Sequence, residues 1–337
     1  MSTLATTPVS SGFDLRRFAG RHFRAGLAYL VLMIMVSINI GLNPNFFAKT
    51  QLTPTLNNGM TLAYAGMAQT AVVITGGIDL SVGPMISLSN SLASAIFVDT
   101  PFGIIGTVVL VLAVGALCGL VNGLIVVYGR LQPIIVTIIT ASIYSGIALY
   151  IRPTPGGFVP RPYADLLTGR TFDIIPNSLI LLILVVLFVW YPFRRSRIGM
   201  WVYAIGNNEG AAYMSGVPVK RAKLAAYSLG GLFAGIAGLF LSAETLSGDA
   251  TAAFGARYTL QSIAAVVLGG TSLFGGAGGV IGTVAGAFAL RRIAAILLLA
   301  RVNPLQQPLW EGIIILIAVA LGASRIFTLK NRLDTMR

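Results

Sequence analysis

Apolar runs alternate with short polar or glycine-rich interruptions along the whole chain. The first run covers 26–42 and stops at Asn43-Pro44; the second covers 52–74 and breaks at Thr75-Gly76-Gly77. A third begins near Leu80 and ends before Asp99-Thr100-Pro101, a fourth covers 102–128 and is closed by Gly129-Arg130, and a fifth covers 133–151. A loop rich in Pro and Gly at 152–175 leads to a sixth run, 176–193, and a basic loop at 194–223 leads to a seventh, 224–243. The eighth, ninth and tenth are placed at 260–274, 280–299 and 309–322. Most approach the roughly 17–25 residues that cross a bilayer as a helix, and the eighth falls short. The expected fold is an all-α polytopic membrane protein with about ten transmembrane helices, some of them broken or re-entrant at glycine-rich segments. Residues 1–25 form a basic tail, 26–325 the transmembrane domain and 326–337 a C-terminal tail.

Composition agrees with this class: hydrophobic residues make up 56% of the chain and charged residues 10%, against about 25% charged in a soluble domain. Glycines recur at the four-residue spacing of close helix packing: Gly115, Gly119 and Gly123; Gly231 and Gly235; Gly282 and Gly286. The formal net charge of +13 is assigned to positive loops that fix orientation, so no nucleic-acid partner is expected. With an even number of spans, both termini and the 194–223 loop share one side, the side richer in Lys and Arg, which is placed in the cytoplasm; the 152–175 loop then lies on the periplasmic side. The single Cys118 excludes an internal disulfide, and the single His22 in the basic tail is poorly placed for catalysis or a metal. No GxxxxGK[ST] phosphate loop is present, and the N-terminus does not read as a cleaved signal.

Two interruptions share one design, VVITGGIDLSVGP at 72–84 and VVLGGTSLFGGAGG at 266–279. Each has an apolar run, a glycine pair, a few polar residues and a second apolar run. Paired interruptions in the two halves of a membrane protein point to a transport path. Gly76, Gly77, Asp79 and Ser81 of the first break and Gly269, Gly270, Thr271 and Ser272 of the second are the candidate path, together with Asn122. Asp79 is read as the cap of a helix that starts at Leu80, and an acid at membrane depth faces a cavity or a partner. The plainer readings are a cap at an interfacial turn for the first break and close helix packing for the second. Arg291-Arg292 fall inside the ninth run; either they line an aqueous cavity or that span is shorter than drawn.

The loop RRSRIGMWVYAIGNNEGAAYMSGVPVKRAK, 194–223, carries six basic residues around a polar middle. A short helix is expected within AIGNNEGAAYMSG, capped by Asn207 or Asn208, with Glu209 at the positive end of its dipole and Gly216 followed by Pro218 as its stop. It is either a solvated loop anchored by charge or a helix shaped to touch a partner.

These residues carry a resemblance that covers about 25–325. TGGIDLSVG at 75–83 is the most specific motif, supported by GLVNGLIVVYGRLQPIIVTI (119–138), YAIGNNEGAAYMSGVPVKRAKLAAYSLGGLFAGIAG (203–238) and SIAAVVLGGTSLFGGAGGVIGTVAGA (262–287). The chain resembles the ribose-permease-like family, the membrane permease subunit of bacterial sugar-importing ABC transporters. It departs from the usual pattern at Pro84, Asn207 and Arg291-Arg292. The resemblance implies a type II ABC importer-like fold in the bacterial inner membrane, a second permease subunit (identical or a close paralogue), a cytoplasmic ATP-binding subunit and a periplasmic sugar-binding protein. It makes Asn207, Asn208, Glu209, Gly210, Ala211, Ala212, Met214, Ser215 and Gly216 the segment that couples to the ATPase. ATP and Mg would be held by that partner, so this chain is expected to need no cofactor, no metal and no partner besides these and membrane lipid.

The implied function is passage of a monosaccharide, pentose or hexose. The alternative within transport is a nucleoside or branched-chain amino acid. A passive channel or ion-coupled carrier is a different class, disfavoured by the coupling-like loop and by Asp79 being the clear intramembrane acid. A membrane enzyme is disfavoured because no His–Asp, Glu–His or Ser–Lys arrangement is evident on any span.

Overall fold

The computed structural model describes residues 15–316, apart from 304, 308, 311 and 315. The chain is built from helices: α1 (Leu15–Leu42), α2 (Lys49–Val73), α3 (Val82–Ile96), α4 (Pro101–Gly129) and α5 (Pro133–Ile151) precede a short α6 (Arg161–Thr168) and a hairpin of β1 (Arg170–Thr171) and β2 (Ile175–Pro176). Then follow α7 (Asn177–Val185), a π-helical turn at Val186–Trp190, α8 (Tyr191–Arg195), α9 (Arg197–Asn207), α10 (Glu209–Met214), α11 (Val219–Thr245), α12 (Ala252–Leu268) and α13 (Val280–Leu299). Among the described residues, five helices are long and apolar enough to cross a membrane: 101–129, 133–151, the continuous 177–195, 219–245 and 280–299; 26–42 is a shorter apolar stretch. The tenth expected run, 309–322, lies largely outside the described residues.

The centre belongs to α2 and α11. From Gly59 to Val73, α2 is buried on every face, as a helix apolar all round must be. Helix α11 packs on it with Phe233, Ala234, Ala237 and Phe240, all buried. Outer helices turn large apolar side chains outward: Leu30, Met33 and Ile34 on α1, Ile134, Ile138 and Ile143 on α5. Exposed apolar surface on this scale fits a hydrocarbon surround. Small residues let the backbones close in, for a side chain at Gly119 would strike Tyr227 O and one at Gly231 would strike Gly115 O, which locks α4 against α11.

Several expectations need correction. The helix that holds the 26–42 run extends back to Leu15, because arginine is a good helix former and a basic run does not stop a helix. The 152–175 loop is ordered by α6 and the hairpin, which are held to α2 by Asn57 Nδ2 donating to Thr168 O (2.9 Å) and Arg170 Nε donating to Thr53 Oγ1 (2.7 Å). The eighth run is displaced: α12 covers 252–268, so its first turns use AAFGARY, upstream of the expected run, and its end falls at the glycine pair. The basic loop narrows, since α11 already starts at Val219. The π turn precedes Pro192, whose missing N–H and ring disturb the helical ladder. Helix α13 runs through Arg291 and Arg292 without shortening. Arg292 is 5% exposed and donates Nη2 to Thr55 O (3.1 Å), while the Arg291 guanidinium stands 5.4 Å from the Tyr258 ring centroid.

Candidate functional site

The first break is an irregular backbone segment enclosed by the helix bundle. Helix α2 ends at Val73, and Gly76 turns the chain with φ +84, a left-handed conformation natural to glycine. Residues 77–81 then run without helix until α3 starts at Val82. Buried backbone groups outside a helix need other partners, and side chains from three helices supply them. The Gln69 amide of α2, oriented to satisfy its surroundings, donates Nε2 to Asp79 O (2.8 Å) and accepts from Asp79 N at Oε1 (3.2 Å). Thr137 Oγ1 of α5 accepts from Leu80 N at 3.0 Å. Thr259 Oγ1 of α12 accepts from Gly83 N at 3.0 Å and faces Leu80 O at 3.3 Å.

Asp79 does not cap a helix starting at Leu80. The helix begins two residues later with Ser81 at the N-cap, and the Ser81 side chain makes no capping bond to it. Asp79 Oδ1 instead accepts from Ser81 N (2.8 Å) and Ser81 Oγ (2.6 Å), which tightens the turn before the helix. Asn122 Nδ2 of α4 donates to Ser81 Oγ at 2.8 Å. The Tyr144 hydroxyl of α5 lies 3.0 Å from Asn122 Oδ1 and 2.9 Å from Cys118 O. Asp79, Ser81 and Asn122 are each 0% exposed, so this chain by itself presents them to no open passage. Gln69, Tyr144, Thr137 and Thr259 belong to the same constellation and were missed in the sequence. Their one signal was a polar residue within an apolar helix.

The second break has the same opening and a different outcome. Helix α12 closes with a left-handed Gly270 (φ +77), whose N–H reaches Val267 O, while Thr271 N reaches Val266 O; this is a Schellman stop. The loop then bonds to itself, with Ser272 N donating to Ala277 O (3.0 Å) and Gly279 N to Thr271 Oγ1 (3.0 Å). Gly269 presses on Thr283 of α13, where a side chain would clash. The Gly269–Ser272 set therefore shapes a loop at the basic end and does not join the Asp79 network. The two breaks meet through Gly276 N, which donates to Ile74 O at 2.9 Å.

Helix α9 lies on this junction. A side chain at Gly206 would strike both Ile74 O and Gly276 N. Tyr203 Oη donates to Gly278 O at 2.9 Å; burial pushes its phenol pKa up, against the opposing pull of Arg194, and it stays a neutral donor. Asn207 Nδ2 donates to Tyr203 O (3.0 Å) and to Gly276 O of the second break (3.5 Å), so the cap of α10 is Asn208, whose Oδ1 accepts from Ala211 N at 2.9 Å. Residues 204–207, upstream of that cap, form the end of a separate helix, α9, itself capped by Ser196.

Helix α10 has the features its sequence calls for. Glu209 stands in its first turn, and both carboxylate oxygens accept from Lys223 Nζ (2.7 and 2.8 Å). Gly216 (φ +78) and Val217 close the helix on Tyr213 O and Ala212 O. Ser215 Oγ donates to Ala211 O at 2.9 Å. Ala212 faces inward at 6% exposed, while Tyr213 and Met214 face out at 73% and 83%. Gly210 and Ala211 are also exposed. Two large side chains thus stand exposed on the outer face of a capped helix, and Tyr213 was not among the residues named from the sequence. Among the described residues no group of His, Cys, Asp and Glu could hold a metal ion.

Comparison with known proteins gives these features a setting. Residues 51–327 match the family model described as branched-chain amino acid transport system / permease component. The ribose import permease protein of Escherichia coli (strain K12) is 36% identical over 297 residues, covering 86% of this chain and 91% of that protein. The ribose import permease protein of Bacillus subtilis (strain 168) is 36% identical over 301 residues, 89% of this chain and 92% of that one. The fructose import permease protein of Rhizobium meliloti is 33% identical over 311 residues, 88% and 84% respectively. No solved structure matches the chain. With most of its length matched by the model and by relatives over a third identical, the chain belongs to the branched-chain amino acid transport system / permease component family.

Proposed function

We propose that this chain is the membrane-spanning permease subunit of an ATP-driven importer that carries a monosaccharide. The observation that carries the reading is the 33–36% identity, over most of the chain, to import permeases for ribose and fructose. The fold is that of a helical, multi-pass membrane protein with about ten spans, both termini on the side of the basic loop and that side in the cytoplasm. ATP and Mg are bound by a separate ATPase subunit, the sugar arrives on a periplasmic binding protein, and a second permease subunit completes the passage. The chain itself performs no chemistry.

Within this reading α10 is the coupling helix. Tyr213 and Met214 dock into the ATPase, and α9 carries movement from α10 to the junction of the two breaks. Asp79 and the side chains around it are positioning residues: they hold a non-helical segment in the bundle so that α3 can shift as a unit. The family description favours one second reading, import of a branched-chain amino acid. Uptake of radiolabelled ribose, fructose and leucine in a strain with and without the gene decides between them. Loss of monosaccharide uptake alone is expected. Loss of leucine uptake with every monosaccharide unaffected overturns the sugar assignment.

A further inference from the structure

A groove of about 770 Å³ opens beside α10, between the last turn of α4, the link to α5 and the first turn of α11. Arg130, Lys220 and Arg221 line it and are exposed. Lys220 Nζ stands 5.1 Å from the ring centroid of Tyr128, at the rim. The groove's acid, Glu209, offsets none of these three, because both its oxygens are engaged by Lys223. The start of α11 adds to the positive field: its N-cap, Pro218, offers no capping side chain, and its first turn holds no acid, where an acid is the favoured residue. Among the residues that line the groove, no acid besides Glu209 is present to balance this charge.

Helix α4 indicates what kind of anion. Leu117, Val121, Leu124 and Ile125 are exposed and their spacing puts them on one helix face, in a strip that leads to Tyr128. A soluble anion has no use for such a strip, whereas a phospholipid uses both parts. We propose that the groove binds the headgroup phosphate of an anionic phospholipid, with an acyl chain laid along the α4 strip. Basic pockets between helices at a membrane surface suit such headgroups. A lipid seated there touches Gly210 and Tyr213 of α10, so its occupancy bears on the helix assigned to coupling. The inference goes beyond the transport reading and requires only that the chain sits in a bilayer.

The test uses the full chain, reconstituted in phosphatidylcholine vesicles with a minority of phosphatidylglycerol, gently re-extracted, and read by native mass spectrometry. Wild type is expected to retain phosphatidylglycerol in preference to phosphatidylcholine. Lys220→Gln/Arg221→Gln should weaken that retention roughly thirtyfold, the combined effect of two cations at a membrane surface. Arg161→Gln, an exposed cation at the opposite end of the bundle, should leave it unchanged. Excess soluble glycerol phosphate should fail to displace the lipid. The wild-type arm stands even where the double variant does not fold: no preference for phosphatidylglycerol, or equal displacement by glycerol phosphate, overturns the proposal. So does a folded double variant that keeps its lipid but loses a co-purifying ATPase, which would assign the groove to a protein.

Discussion

Gly276 gives its backbone N–H to Ile74 O at 2.9 Å, and this one hydrogen bond joins two glycine-rich breaks that lie some 200 residues apart in the chain. Ile74 follows the last turn of α2, and Gly276 lies in the loop between α12 and α13. Helix α9 rests on the seam through Gly206 and leads directly into α10. The surface that carries Tyr213 and Met214 is therefore connected by rigid, short-range contacts to the segment that holds Asp79.

Gly206→Ala tests the seam. The added methyl meets Ile74 O and Gly276 N, both backbone atoms with little room to move. Overpacking of this kind costs about 1–3 kcal/mol. A lower melting midpoint in detergent and loss of most sugar uptake are expected. A variant with wild-type stability and uptake would show that the seam is loose.

Asp79 is tested by two variants. Asp79→Asn keeps the acceptor for Ser81 N and Ser81 Oγ, but places an NH2 group where Oδ2 finds no partner among the described residues. It should retain part of the transport. Asp79→Leu removes the acceptor, and a lost bond to a charged group costs about 1.5–3 kcal/mol. Subunit yield and uptake should fall together. An Asp79→Leu subunit made at normal yield, active in ATPase stimulation and dead only in uptake, would make Asp79 a sugar ligand instead.

Gln69→Leu leaves Asp79 N and Asp79 O unpaired in the bundle. Each unmet buried backbone group costs about 1–3 kcal/mol. Thermal unfolding should show a larger loss than Asp79→Asn gives, with Gln69→Glu intermediate because it keeps one acceptor. Equal midpoints for Gln69→Leu and wild type would mean that the amide does not clamp the segment.

For α10, Ala212→Pro deletes the N–H that Asn208 O accepts at 3.0 Å, and an interior proline costs about 3 kcal/mol of helix. The subunit should still reach the membrane while uptake and ATPase stimulation vanish. Tyr213→Ala should leave stability within about 0.5 kcal/mol, as for an exposed substitution, and still lower ATPase stimulation. Full stimulation by both variants would remove α10 from the coupling path.

Orientation is open to thiol labelling in a Cys118→Ala background, which removes the chain's one native thiol. Ser215→Cys is exposed at the basic end, and Leu166→Cys on α6 is 67% exposed at the other. An impermeant reagent added outside intact cells stripped of their outer membrane should modify only the second. The reverse pattern would invert the topology.

Local physics made much of this chain readable before any fold was known. Apolar length and low charge gave the membrane class, and Pro101, Pro133 and the glycine pairs marked where helices start or stop. The stop at Gly216 and a cap at Asn207 or Asn208 needed only neighbours within one turn and were legible in the sequence; the structure chose Asn208. The four-residue glycine spacing announced close helix packing, while the pairing of Gly119 and Gly115 on α4 with Tyr227 and Gly231 on α11 came only from the fold.

What the sequence left undecided depends on atoms far apart along the chain. Two similar breaks gave no means of telling that one re-enters the bundle and the other stays at its end; that depends on whether neighbouring helices offer partners for the freed backbone. Gln69, Thr137 and Thr259 do so for the first break from α2, α5 and α12. Each read alone is an unremarked polar residue in an apolar helix. Asp79 looked like the cap of a helix at Leu80 because capping is a local rule; in the fold it holds the turn through Ser81, and the first turn of α3 gives Gly83 N to Thr259 of α12. The placement of α9 across both breaks was equally invisible, since nothing local to Gly206 shows that Ile74 and Gly276 approach it. Helix packing, which fixes the relative rotation and height of every span, decided those contacts.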